Sequence, residues 1–259
     1  MNRTKIPWCD WTWNPIVGCS PASEGCANCY AAAISKRFHL PWGKARFMPE
    51  RLDQPAKVHK PGRVFVCSMG DLFHETVSRE WKQAVFTVAC NTPRHTFIFL
   101  TKRPERVRDW WIGDVPNVWL GVTAENQARA DECVPILADI PAAVRFVSIE
   151  PMLGPVSMRR WLPEPCAITP REPCGDCEAC AGNASWPTRI HWVIAGPETG
   201  PGARECRDEW IEALARESSC FFDKRQRGHW VRREFPNAHA DREPASGDTV
   251  GRDVGEDSP

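Results

Sequence analysis

The sequence has no net charge, a single tyrosine and no long hydrophobic run, and each scarcity excludes something. Lysine plus arginine equals aspartate plus glutamate at 33 each, so composition gives no ground for a polyanion partner and leaves only a local basic groove open. No stretch reaches the roughly eighteen consecutive apolar residues that cross a bilayer, so no membrane partner is expected. The opening residues, MNRTKIPWCDWTW, lack the apolar core of a secretory signal. The expected location is therefore cytoplasmic, where thiols stay reduced. At 259 residues, 42% apolar and 25% charged, the chain is long enough for one large α/β domain with a sizeable core.

Cysteine and tryptophan are abundant, at thirteen each. Thirteen cysteines in a reducing compartment need a reason other than disulfides. They are unevenly placed, with three in 19–29 and four in 166–180, which is the clustering expected of metal ligands. Cys9, Cys67, Cys90, Cys133, Cys206 and Cys220 lie singly and read as small apolar core residues. Most tryptophans read as core and rim. Trp8, Trp11 and Trp13, beside the first cysteine group, are placed to wall off a cofactor.

Beyond the first forty residues, short apolar runs alternate with helical stretches. The runs are 63–69, 95–101, 118–124, 144–150, 191–196 and 220–225, rich in Val, Ile and Phe as strands buried on both faces require. Helices are expected at about 28–38, 78–90, 104–111, 126–138 and 207–219. With an earlier strand at 11–17, the alternation predicts seven βα units of parallel sheet. The fold class is α/β, a partial or full barrel of the TIM type. Polar residues cluster just past the strands: Asp71 and His74, Lys102 and Arg103, Glu125 and Asn126, Glu150, then Glu198 and Thr199. In parallel α/β folds these positions converge on one mouth. The domain is expected over 1–235, interrupted by a cysteine-rich insertion at about 159–190, with a disordered polar tail over 236–259.

The first cysteine group reads Cys19-x6-Cys26-x2-Cys29. Three thiolates can hold a 4Fe–4S cluster and leave its fourth iron open for the amino and carboxylate groups of S-adenosylmethionine. Gly18 and Gly25 permit a close wrap, and Asn28 is placed to cap a helix that carries Cys29 in its first turn. A zinc site is the alternative if Cys9 or His39 supplies a fourth ligand, and unligated thiols are the third reading.

Six blocks, TWNPIVGCSPASEGCANCYA, VFVCSMGDLFHETV, FIFLTKRPERV, VWLGVTAENQARAD, VRFVSIEPMLGPV and WVIAGPETGPGAR, occur in order over about 11–225. Together they resemble an uncharacterised phage and bacterial family whose three-cysteine motif is similar to that of radical S-adenosylmethionine enzymes. The resemblance implies a partial TIM-type barrel, a 4Fe–4S cluster on Cys19, Cys26 and Cys29, and a separate partner protein. It also implies cofactor contacts from Tyr30, which would shield the adenine, and from Ser68 through Asp71, which would receive the methionine amino group. Gly196 and Glu198 would lie on the strand end that approaches the adenine. Glu125 and Glu150, at the strand ends, complete the candidate cofactor residues. Asp223 departs from the family, standing where it has an apolar or aromatic residue and leaving the packing of the last strand open.

The second group, Cys166, Cys174, Cys177 and Cys180, offers four thiols for structural zinc or an auxiliary 4Fe–4S cluster, and absence of metal is the third reading. Two basic sets, Arg94 to Arg108 and Lys224 to Arg233, read either as solvated surface or as a phosphate-binding rim for a nucleotide or nucleic acid. The function expected is thus a radical enzyme with a small-molecule cosubstrate, acting on a nucleobase, nucleotide or nucleic acid. A zinc-stapled binding module and an electron-transfer protein are the alternatives.

Overall fold

The computed structural model describes residues 1–40, 42–111, 113–162, 190–225 and 232–236. The second cysteine group and residues 237–259 lie outside them. The chain begins with β1 (Asn2–Arg3), β2 (Trp11–Trp13) and β3 (Ile16–Val17), followed by α1 (Tyr30–Arg37), β4 (Arg46–Phe47) and β5 (Gly62–Val66). Three helix–strand repeats follow: α2 (Arg79–Cys90), β6 (His95–Thr101), α3 (Glu105–Arg108), β7 (Val118–Thr123), α4 (Gln127–Ala138) and β8 (Val144–Ile149). Last come β9 (Trp192–Ala195), α5 (Asp208–Glu217) and β10 (Phe221–Asp223).

The main sheet has eight strands in the order β1-β2-β5-β6-β7-β8-β9-β10. Every pairing is parallel except the edge pair β1–β2. Seven parallel strands therefore run in sequence order, without the reversal of a doubly wound sheet. Each edge is covered by an antiparallel segment. β1 lies along β2, and residues 232–234 lie along β10 through Asp223 N–H to Arg232 O (2.7 Å) and Glu234 N–H to Phe221 O (3.0 Å).

Burial explains the near-continuous apolar runs. All six residues of β7 and all six of β8 are buried. Alternate residues feed two cores, as the two-residue strand period requires. Val118, Leu120, Val147, Ile149 and Val193 join the core that contains the helix residues Phe86, Val134 and Leu214. Trp119, Phe146, Trp192, Ile194 and Phe222 join Trp8 and Cys9 on the opposite face. Cys67 and Cys133 are buried in the first core, in keeping with their reading as small apolar residues.

One expected strand is corrected. The stretch 11–17 divides into β2, in the main sheet, and β3, which pairs with β4 in a separate ribbon. Pro15 falls between them and has no N–H to continue the ladder. The doubt over Asp223 is also resolved. Its carboxylate is 2% exposed and is gripped by Arg225, whose Nη2 lies 2.7 Å away, while Arg225 Nη1 reaches Asp208 at 2.8 Å. A buried charge with a bidentate partner is tolerated where an isolated one is not.

Candidate functional site

The polar residues at the carboxyl ends of the strands come together, and they do so as ion pairs. Asp71, after β5, meets Arg103, after β6, at 3.2 Å. Lys102 meets Glu125, after β7, at 3.0 Å. Glu150, after β8, meets Lys224, after β10, at 2.5 Å. Glu198 and Arg204, both after β9, meet at 2.6 Å. Four carboxylates thus each have a cation, and three of the pairs join different strands.

The loop carrying Cys19, Cys26 and Cys29 is fastened to this ring. Gly18 has φ +90°, and a Cβ there would stand 2.2 Å from the Lys44 carbonyl oxygen, so only glycine fits. Its N–H donates to Met69 O at 2.9 Å, beside the turn that ends β5. Arg103 Nη2 donates to Ser20 O at 2.9 Å, and Nη1 reaches Cys19 Sγ at 3.7 Å. The buried Gly25 N–H donates to Glu125 Oε1 at 3.0 Å. Arg204 Nη1 donates to Glu24 O at 3.2 Å, while Asn28 Nδ2 donates to Glu198 Oε2 at 2.9 Å. Asn126 reaches the Glu24 carboxylate. Three of the four ion pairs therefore touch the cysteine loop directly.

Asn28 does not cap α1 as expected. Its amide is taken by Glu198 and by Gly202 O (3.0 Å), and Cys29 itself occupies the N-cap position. That puts the Cys29 thiol at the positive end of an eight-residue helix. Cys26 Sγ accepts from the Ala22 N–H at 3.4 Å. The Cys19 thiol is pushed up to about 11, by burial first and by Asp71 second, with Arg103 opposing both.

Other candidate residues have definite partners. Asp71 is 5% exposed and turns inward, accepting from Thr101 Oγ1 (2.9 Å) and the Phe73 N–H (2.9 Å) besides Arg103. It positions Arg103 and offers no free oxygen to the mouth. Tyr30 donates its hydroxyl to Ser68 O at 2.5 Å and leaves half of its surface exposed. The Ser68 hydroxyl donates to Asn14 Oδ1 at 3.2 Å. Cys67, which precedes it, is a non-glycine residue at φ +59°, a strained turn of the sort that marks binding sites. Glu150 Oε2 accepts from Trp8 Nε1 (3.3 Å) and Ser148 Oγ (3.1 Å). A Cβ on Gly196 would stand 2.9 Å from Lys224 Cβ, so the glycine lets Lys224 cross to Glu150.

Burial acts to raise the Glu125 pKa, but Lys102 together with hydrogen bonds from Ser23 and Gly25 outweighs it and holds the carboxyl below its usual range. Glu198 is driven down to about 2 by its hydrogen bonds from Arg204, against a weaker effect of burial. His74 is fully buried, with Nε2 2.8 Å from Ser20 Oγ. Its Nδ1 accepts from the Thr76 N–H at 3.2 Å, which leaves the proton on Nε2. Burial lowers the His74 pKa and keeps the ring neutral. The ring therefore donates to Ser20 and is in the wrong tautomer to activate it as a nucleophile.

Members of both basic sets are turned to protein partners. Arg94 precedes β6 and His95 begins it, at the opposite end of the strand from Lys102 and Arg103. Arg94 donates to Ala56 O (2.6 Å) and His95 lies 3.0 Å from Val58 O. In the second set, Lys224 and Arg225 are paired as above, and Arg232 meets Glu234 at 2.6 Å. Sequence reasoning overlooked Asn14, Arg204 and the contact of Trp8 with Glu150. The Trp-Asn-Pro spelling marked a turn at Asn14, whereas nothing in the spacing marked Arg204.

Among the described residues, no three His, Cys, Asp or Glu side chains converge as the ligands of one metal ion do, and neither Cys9 nor His39 supplies a fourth zinc ligand. A 4Fe–4S cluster poses a different requirement, because its three thiolates bind three separate irons and need not meet at a point. Three free, half-buried cysteines on one loop with a backbone N–H and a guanidinium directed at their sulfurs fit that group. No helix among the described residues is long and apolar enough to cross a membrane. The family described as "Protein of unknown function (DUF5131)" matches residues 3–254. No curated protein and no solved structure matches the chain.

Proposed function

The chain belongs to the DUF5131 family, and we propose that it is a radical S-adenosylmethionine enzyme whose Cys19, Cys26 and Cys29 hold a 4Fe–4S cluster. One observation carries the reading: the three-cysteine loop is tied across the carboxyl ends of a singly wound parallel sheet by side chains that follow β6, β7 and β9. Parallel α/β proteins place their chemistry at that end. Strands in sequence order, with a helix-bearing core on one face and an aromatic core on the other, suit a partial barrel. When bound, the cluster supplies the electron that cleaves the sulfonium of S-adenosylmethionine to give a 5′-deoxyadenosyl radical.

The residues of the mouth divide that work. Arg103 and the Ala22 N–H direct hydrogen bonds at sulfur, which stabilises thiolate ligands. Glu150 and Lys224 present opposite charges side by side, a carboxylate and an ammonium available to other polar groups of a bound cosubstrate. Tyr30 lays an exposed ring at the edge of the same mouth. Trp8, Phe65 and Trp192 pack together on the inner face and keep water out of it.

The test is iron and sulfide analysis of anaerobically prepared protein beside Cys26→Ala. Wild type is expected to carry iron and sulfide, to bleach with dithionite and to release 5′-deoxyadenosine from S-adenosylmethionine. Cys26→Ala is expected to lose that iron and all of the release. Colourless wild type carrying only zinc overturns the reading in favour of a stapled module, and a reducible cluster without 5′-deoxyadenosine leaves only electron transfer.

A further inference from the structure

The helix beside the cysteine loop is built inside out. On α1 the only buried residues are the small Ala31 and Ser35. The large apolar ones face outward: Tyr30 is 50% exposed, Ile34 37% and Phe38, at its C-cap, 60%, followed by Leu40 at 52%. Residues 30, 34 and 38 recur at the four-residue helical spacing and form one stripe. A stripe of this kind is ordinarily the buried face of a helix, so its exposure marks a binding surface.

Charge identifies the occupant. From Glu24 to Glu50 the chain contains no acidic residue between the two, yet it carries Lys36, Arg37, Lys44 and Arg46, all exposed. None of these four forms an ion pair with a described residue, in contrast to the cations of the mouth, each of which has a carboxylate. In a chain of zero net charge this is a local concentration of unmatched positive charge. Arg37 lies over the Phe38 ring, 5.5 Å from its centroid, so cation and aromatic share one patch. The patch also adjoins the mouth, since Tyr30 follows Cys29 directly and is tied to Ser68 O.

We infer that this segment docks single-stranded nucleic acid, unstacked bases on Phe38 and Tyr30, one phosphate on Arg37 beside them and further phosphates on Lys36, Lys44 and Arg46 where the strand leaves the stripe, and leads it to the mouth. Exposed aromatics interleaved with cations are the chemistry of sequence-tolerant single-strand binding. A duplex keeps its bases stacked and offers the rings nothing. Stacking on aromatic rings reads the π-face that every base carries on ribose and deoxyribose alike, so both kinds of strand are expected to dock. As the substrate class of the mouth this rests on the enzyme reading, whereas the binding itself does not.

The experiment is fluorescence anisotropy of labelled mixed-sequence single-stranded DNA and RNA with the full chain over a salt series. Both probes are expected to bind, with log K falling against log salt at a slope of about −3, which is four contacts at about 0.7 each. Lys36→Ala with Arg37→Ala should reduce the slope by about 1.4. Phe38→Ala should weaken binding about tenfold with the slope unchanged. Cys26→Ala should bind as wild type does, which separates failure of docking from failure of the cluster. Lys36, Arg37 and Phe38 are exposed, and unchanged circular dichroism melts exclude unfolding as the cause. The inference is overturned if neither probe binds at low salt, or if the Lys36/Arg37 and Phe38 variants bind like wild type. A wild-type dimer in size exclusion that Phe38→Ala converts to monomer also overturns it, assigning the stripe to a second copy.

Discussion

A Cβ on Gly121 would stand 2.4 Å from Cζ of Phe146, and its ring edge atoms are hardly further away. The inner core is filled at that point by an aromatic ring lying over bare backbone, which no other residue at 121 would permit. Gly121→Ala is therefore expected to destabilise the protein by about 1–3 kcal/mol, the usual cost of overpacking, as read by urea unfolding. Phe146→Leu in the same chain should recover part of that loss, because it removes the atoms that clash. Arg103 makes the opposite kind of demand on its position. Its guanidinium serves Asp71, Ser20 and Cys19 together, and its fork geometry suits that in a way the point charge of a lysine does not.

Among the elements, the two twelve-residue helices α2 and α4 show how a cap can be local or can reach into the site. Ser78 caps α2 by accepting the Trp81 N–H at 3.3 Å and does nothing else for the mouth. Asn126 caps α4 through the Arg129 N–H at 2.9 Å and also reaches Glu24 in the cysteine loop. Ser78→Ala and Asn126→Ala should each cost about 1 kcal/mol of stability. Only Asn126→Ala should also quicken iodoacetamide alkylation of the loop cysteines in iron-free protein, measured by mass spectrometry. Equal alkylation of both variants would remove Asn126 from the account of the site.

For the molecule as a whole, the Glu198–Arg204 pair straps the far strand to residues 24 and 28 of the loop. Glu198 falls from the ordinary 4.5 to about 2, so the folded state holds the ionised form more strongly than the unfolded chain does. The stability this contributes is complete above pH 4.5 and is lost as pH falls towards 2. The melting-temperature difference between wild type and Glu198→Gln should accordingly be constant from neutral pH down to about 5 and shrink below it. A difference that instead grew on acidification would dismiss the strap.

Periodicity alone placed helices at about 78–90 and 126–138, within a residue of Arg79–Cys90 and Gln127–Ala138, and the strand His95–Thr101, because a two-sided core demands unbroken apolar runs and amphipathic helices demand a repeat near four. It also placed polar residues at the strand ends, and adjacency in the chain made Cys19, Cys26 and Cys29 one group. What it could not supply was who faces whom. Arg94 and Lys102 are close in sequence, yet a seven-residue strand sends them to opposite ends of the sheet. Asp71 turns inward to Arg103, Asn28 leaves its helix for Glu198, and Asp223 is buried because Arg225 folds back onto it. Strand direction and register set these partnerships through distances between residues far apart in the chain. A linear pattern carries the period of each element, and only the packed sheet decides which charges meet.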